Sequence, residues 1–192
     1  MPMRYLLILS LLWINPLFAQ KSAQLDRKEA KKAFQYLNEF RLNSARESRK
    51  LGIRPIKNVS EFPLVWNERL AKAAEEKALD MAKRNYFDHV DPKGFGPNYY
   101  IHQAGYSLNK DWLKHKSTNN FESIAANHET AIAGIQAFII GKGSPGLMHR
   151  KHVLGLDEWN GSLKDIGIGF VRVPRGATYK TYLCVLIAKH DW

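Results

Sequence analysis

Seven histidines, one cysteine and dispersed carboxylates are the side chains of this 192-residue chain with the means to do chemistry. Their spacing fits no enzyme signature. Lys142-Gly143-Ser144-Pro145-Gly146 has Lys where a nucleophile elbow needs its first glycine, and Gly141-Lys142-Gly143 lacks the Ser or Thr that follows the Lys of a phosphate loop. The His-Glu-x-x-His of a zinc-protease helix does not occur. Cys184 lies in the apolar run Tyr182-Leu183-Cys184-Val185-Leu186-Ile187 with no cation beside it to stabilise a thiolate, so it reads as a small buried hydrophobe. Gly167-Ile168-Gly169 reads as strand positions where another element packs closely. The histidines are scattered, and spacing alone does not group them.

The elements that must position these groups come from periodicity. Over 26–51, apolar residues at Ala30, Ala33, Phe34, Leu37 and Phe40 line one face of a helix with Lys and Arg outside, and Gly52 and Pro55 end it. A short extended piece, Pro63-Leu64-Val65-Trp66, follows. Asn67 is a plausible N-cap for a helix ending near Asn85, with Leu70, Ala74, Ala78 and Met81 on one side and enough alanine to lie close to a sheet. Pro92 and Gly94 mark 86–94 as a loop, and a short helix is predicted over 97–104. Residues 111–119 read as a surface loop, 121–126 as a strand, and 129–140 as a helix with Ile132, Ile135, Phe138 and Ile139 inward. A further helical turn holds His149 and His152, and strands over 165–173 and 178–189 are joined by Pro174-Arg175-Gly176-Ala177.

Residues 1–19 have the layout of a secretory signal: Arg4, an apolar run over 5–18, then Ala19-Gln20 as the expected cleavage point. The run is shorter than the roughly 20 residues a membrane span needs. This places the mature chain outside the cytoplasm, secreted or periplasmic, where one cysteine forms no internal disulfide and packing alone must stabilise the fold. The net charge of +11 falls to about +10 once Arg4 leaves with the signal, and much of the excess lies in 21–57. A solvated helix face accounts for it; attraction to anionic surfaces is the sharper alternative. Nucleic acid is disfavoured, since neither a base-reading motif nor a stacking platform is present.

Dispersed segments resemble the CAP superfamily (SCP domain; cysteine-rich secretory proteins, antigen 5 and pathogenesis-related proteins), in its disulfide-free bacterial form. Leu64-Val65-Trp66-Asn67-Glu68-Arg69-Leu70 with Ala73-Ala74 resembles an "L-x-W-x-x-x-L-x-x-x-A" helix, and Tyr86-Phe87-Asp88-His89 with Ala104-Gly105-Tyr106 resembles "F-x-H … A-G-Y". Phe121-Glu122-Ser123-Ile124-Ala125 resembles "G-E-N-I-A". Ser144-Pro145-Gly146 through His149-Arg150 to Val153-Leu154 resembles "S-P-G-H-R-x-N-L-L" with two residues inserted, and Ile166-Gly167-Ile168-Gly169-Phe170 is similar to the penultimate strand.

The resemblance implies an α+β fold, a three-layer α/β/α sandwich with a small, mostly antiparallel central sheet. The domain is expected over 61–192, with 20–60 as a basic helix and loop packed on it or leading into it. Carried over residue by residue, the family's cavity maps to His89, Glu122 and His149, two imidazoles and a carboxylate able to bind Zn2+ or another divalent metal. The second glutamate of eukaryotic relatives would fall near Gly141, where there is no acid. His152 stands where the family usually has Asn and is expected at the surface; His102, His115, His128 and His190 match no motif and are expected to be solvated. Trp66 is expected to be buried.

The function implied is a secreted binding module of unspecified ligand. The alternatives are a metal-dependent, peptidase-like hydrolase using the same cavity, and capture of a lipid or anionic envelope polymer. The missing second glutamate leaves the hydrolase without an obvious free base, so a catalytic role is the less favoured reading.

Overall fold

A computed structural model describes residues 23–174 and 178–190; the expected signal segment and residues 175–177 of the hairpin loop lie outside them. Among the described residues the chain runs β1 (Gln24–Leu25), α1 (Arg27–Leu42), α2 (Ser44–Lys50), β2 (Val65–Trp66), α3 (Glu68–Arg84), α4 (Pro97–Gln103), β3 (Glu122–Ala126), α5 (Ala131–Ile140), α6 (Met148–Leu154), α7 (Glu158–Gly161), β4 (Asp165–Arg172) and β5 (Thr181–Ala188), with single 3-10 turns at Lys110–Leu113 and Pro145–Leu147. The fold is α+β. The sheet order is β1-β4-β5-β3, and β2 adds to β4 as its one parallel neighbour.

The pairings Gly167↔Leu186, Gly169↔Cys184, Glu122↔Leu186 and Ile124↔Cys184 put these residues on one face of the sheet, because side chains alternate along each strand. α3 covers that face. A Cβ at Gly167 would lie 2.1 Å from the backbone of Leu70 and Ala71, and one at Gly169 would lie 2.2 Å from the Ala74 carbonyl oxygen. Two glycines facing an alanine-rich helix thus let α3 rest directly on β4. Asn67 caps α3 by accepting from the N–H groups of Arg69 and Leu70, and Asn85 closes it in the left-handed conformation.

The opposite face carries Ser123, Ala125, Leu183 and Val185 and is covered by α1, α5 and α6. Gly134 of α5 sits over Leu183 there. The result is the expected three-layer sandwich, and Ala30, Ala33, Leu37 and Phe40 of α1 belong to its core.

Two expectations need correction, and a third observation bears on the charge. The first helix is broken: Asn43 leaves helical geometry (φ −129°, ψ 38°) and its amide donates back to Glu39, the competition for backbone groups that makes Asn a poor helix-interior residue. Trp66 is half-buried, lying edge-on to Phe34 under the Lys31 ammonium, with Nε1 donating to Glu68 at 2.8 Å. The positive charge of 21–57 is also less free than its count suggests. Arg27 pairs with Glu75, Lys31 with Glu68, Lys32 with Glu29, Arg46 with Glu39 and Glu47, and Lys50 with Glu47. No helix of the described residues is long and apolar enough to cross a membrane.

Candidate functional site

β3 is an edge strand, so the two sides of its first turn of pleat are open beyond the sheet margin. Glu122 points to the α3 side and its neighbour Ser123 to the α6 side, and both line a cavity of about 300 Å3 off that edge. His89 reaches it from the loop after α3, and His149 and His152 from α6. The three residues drawn from distant sequence segments, His89, Glu122 and His149, therefore share one solvent-connected space.

His89 Nδ1 lies 2.8 Å from Glu122 Oε1. The Glu122 side chain is fully buried, and an ionised carboxylate only accepts, so Nδ1–H donates and Nε2 has no protein partner among the described residues. The other carboxylate oxygen accepts from the Cys184 thiol at 3.3 Å. Burial and the adjacent Glu122 charge push the Cys184 thiol well up, which keeps it a neutral donor. The histidine rings of His89 and His149 are 6.4 Å apart between centres. Burial, with the neighbouring His89, lowers the pKa of His149, so it offers a neutral imidazole at neutral pH.

The loop bearing His89 is tied down by groups that motif reading missed. Lys77, buried in α3, donates from Nζ to the carbonyls of Asp88 (2.7 Å) and His89 (2.8 Å) and to the Tyr86 hydroxyl (3.2 Å). Asp91 accepts from the N–H groups of Lys93 and Phe95, from Arg84 Nη2 at 2.7 Å and from the Tyr100 hydroxyl at 2.8 Å. Burial alone would raise the Asp91 carboxyl, but Arg84 and these donors outweigh it and hold the group far below the usual carboxylate range. Arg84 also clasps Asp80, which accepts from Tyr86. An Asp followed by Pro-Lys-Gly, just beyond a helix that ends in Lys83-Arg84, was the available signal for this lock.

His152 is not at the surface. It is 7% exposed, and its Nδ1 lies 2.8 Å from Ser123 Oγ. Two of the positions where this chain departs from the family wording, Ser123 for Asn and His152 for Asn, thus meet in one hydrogen bond. Burial pushes His152 down to about 3; the Ile187 carbonyl opposes the shift, and the charges of Arg41, His149 and His89 add to it. Nε2 of His152 and Nη2 of Arg41 are buried without a partner of good geometry. His102 and His115 are exposed and His128 is half-buried. His190 is exposed but engaged, with Nδ1 2.7 Å from Asp165, which also accepts from Tyr106. The inserted pair Leu147-Met148 opens α6: Leu147 takes φ 56°, and Met148 stands at the cavity mouth. Asn119, Asn120, Trp159 and Asn160 complete the lining and had no motif to announce them.

The residues fit a metal ion only in part. Among the described residues, no three or more His, Cys, Asp or Glu side chains converge as a metal cage. Both Glu122 oxygens are engaged, so a three-ligand set with His89 and His149 would require its bonds to be exchanged. The imidazole pair remains; a tetrahedral ion would hold the two ring centres roughly 5 Å apart, closer than they stand here.

Residues 34–186 match the model of the cysteine-rich secretory protein (CAP) family. The match spans most of the chain, and the protein belongs to that family. Its relatives include the uncharacterized protein YkwD of Bacillus subtilis (strain 168), 30% identical over 109 residues that make up 57% of this chain and 35% of that protein. The chain thus spans about a third of that curated relative. An SCP-domain extracellular protein of Bacillus anthracis str. Ames superposes with TM-score 0.55 at 23% identity, over 85% of this chain and 41% of that one. An outer surface protein of Borrelia burgdorferi does so with TM-score 0.57 at 16% identity, over 88% and 99%. At these identities the structural likeness defines the fold.

Proposed function

We propose that this protein is an exported binding module whose ligand enters the sheet-edge cavity and meets the free nitrogens of His89 and His149. The observation that carries the reading is the 2.8 Å bond between His89 Nδ1 and Glu122, which holds one ring with Nε2 free. Export is supported by the signal-like layout of 1–19 and by the extracellular and outer-surface descriptions of the two structural relatives.

A divalent ion is one ligand the imidazole pair would take, with His89 and His149 as donors and Glu122 orienting His89. The hydrolase alternative is less well supported, because each Glu122 oxygen already accepts a hydrogen bond, from His89 and from Cys184, and the carboxylate is buried away from a substrate water. The lipid or anionic-polymer alternative is less well supported, because five of the eight basic residues of α1 and α2 are paired with acids and Arg41 is buried. Calorimetry with Zn2+ on the full chain tests the reading. Affinity is expected to fall at least about tenfold in His149→Ala, and equal affinity in both proteins removes the imidazole pair as the binding element.

A further inference from the structure

The lining of the cavity restricts what chemistry enters it. None of its side chains is Lys or Arg, although the chain carries a net charge of +11. An anionic ligand would find no cation in the lining itself: the Lys189 ammonium beside it stands 4.9 Å over the Trp159 ring and already donates to Ser162, and the one lining acid, Glu122, is bonded to His89 and Cys184. An apolar chain would strand polar atoms. Asn119 spends only Oδ1 on the protein, accepting from the N–H groups of Phe121 and Glu122, and Asn120 spends only Oδ1, on Asn98. Two side-chain NH2 groups are therefore open to a ligand. Asn160 does the reverse: its Nδ2 donates to both Asp157 oxygens, and its Oδ1 remains an acceptor. His152 adds a ring more than nine-tenths buried whose Nε2 has no partner of good geometry among the described residues. At the mouth stand Met148 and Trp159, the indole braced by Phe121 and Trp112.

Uncharged donors and acceptors beside an aromatic and a thioether wall, in about 300 Å3, complement one ring of a neutral sugar. Hydroxyls both give and take hydrogen bonds, the C–H edges of the ring pack on apolar surface, and no formal charge requires a counter-ion. We propose that the cavity binds a neutral sugar unit of a glycan, with Asn119 and Asn120 donating to it, Asn160 accepting from it, and Trp159 and Met148 flanking the ring. This rests on the cavity being a ligand site, as proposed above, and names the class of ligand.

The test is titration of tri-N-acetylchitotriose and of cellotriose into the 15N-labelled full chain at millimolar concentration. Saturable shifts of the Asn119, Asn120 and Trp159 side-chain N–H signals with at least one of the two are expected. Asn119→Asp keeps the oxygen that accepts from Phe121 and Glu122 while removing the NH2 donor; affinity is expected to fall at least about tenfold with the melting temperature unchanged. Asn120→Asp applies the same logic on a second residue if the first variant folds poorly. Absence of shifts with both sugars, or wild-type affinity in a folded variant, overturns the assignment. Zinc calorimetry on the same samples separates the two claims: zinc binding without sugar binding removes the sugar alone, and neither binding removes the ligand-site reading as well.

Discussion

Along β4, Gly167 and Gly169 bring the strand into backbone contact with α3, and no space is left even for a methyl group. At the start of β3, one strand further across the sheet beyond β5, Glu122 and Ser123 face a cavity otherwise walled by amides, imidazoles, an indole and a thioether. The first region is dry and filled; the second keeps room, and keeps polar atoms such as His152 Nε2 unpartnered. Burying such an atom costs on the order of 1–3 kcal/mol, a cost the α3–β4 contact nowhere carries. The difference separates what makes the fold from what the fold holds open.

Breaking the filled region should have the largest effect. Gly169→Val places side-chain carbons where α3 backbone atoms stand 2.2–2.6 Å from a Cβ, so little soluble folded protein is expected; Gly169→Ala should lower urea stability by about 3 kcal/mol. A wild-type denaturation midpoint would show that α3 does not sit on β4 as described.

Asp91→Asn strikes the lock behind the cavity, removing a carboxylate with four donors. A loss of about 2–4 kcal/mol is expected, moderated because Arg84 is part-exposed. Because the folded pKa of Asp91 is depressed, its contribution is present above the unfolded value and is lost as pH falls through the folded one. The gap between wild type and variant should therefore narrow below about pH 4.

His152 sharpens the comparison from the cavity side. Its folded pKa of about 3 lies below the ordinary histidine value, so the unfolded chain takes the proton first. Stability should fall as pH drops from about 6.5 towards 3, at about 1.4 kcal/mol per pH unit, with His149 adding in the same direction at the upper end. His152→Asn should flatten that slope in urea midpoints taken from pH 7 to pH 4; a slope unchanged by the substitution places its origin elsewhere. Trp66→Ala should have the smallest effect, about 1–2 kcal/mol, because the ring is half-exposed. A loss of about 4 kcal/mol would mean the ring is fully buried in solution.

The filled region was legible in the sequence because close packing leaves local marks. Gly-x-Gly in a strand and alanines at helical spacing can be read without knowing their partners, and both turned out to face each other. Asn67 and Asn85 at the ends of α3 were legible for the same reason. The cavity was not. Its members come from a loop, an edge strand and a helix, and only the family wording brought His89, Glu122 and His149 into one list. Even that wording placed His152 at the surface, because a single histidine on a short helix carries no periodic signal of burial. Lys77 and Asn120 stayed silent because their partners are remote in sequence, and Asn119 and Asn160 because their local bonds, to the N–H groups of Phe121 and Glu122 and to Asp157, are those of an ordinary turn or cap and give no sign of a cavity.

The site as described stands on Glu122 fixing the His89 ring with Nδ1 protonated and Nε2 open to the cavity. Long-range 1H–15N correlation of the histidine rings at pH 8 reads this tautomer without an intermediary. A protonated Nδ1 and an unprotonated Nε2 are expected for His89, with this preference lost in Glu122→Ala, which removes the acceptor; a proton on Nε2 in the wild type, or a tautomer pattern indifferent to the substitution, would refute it.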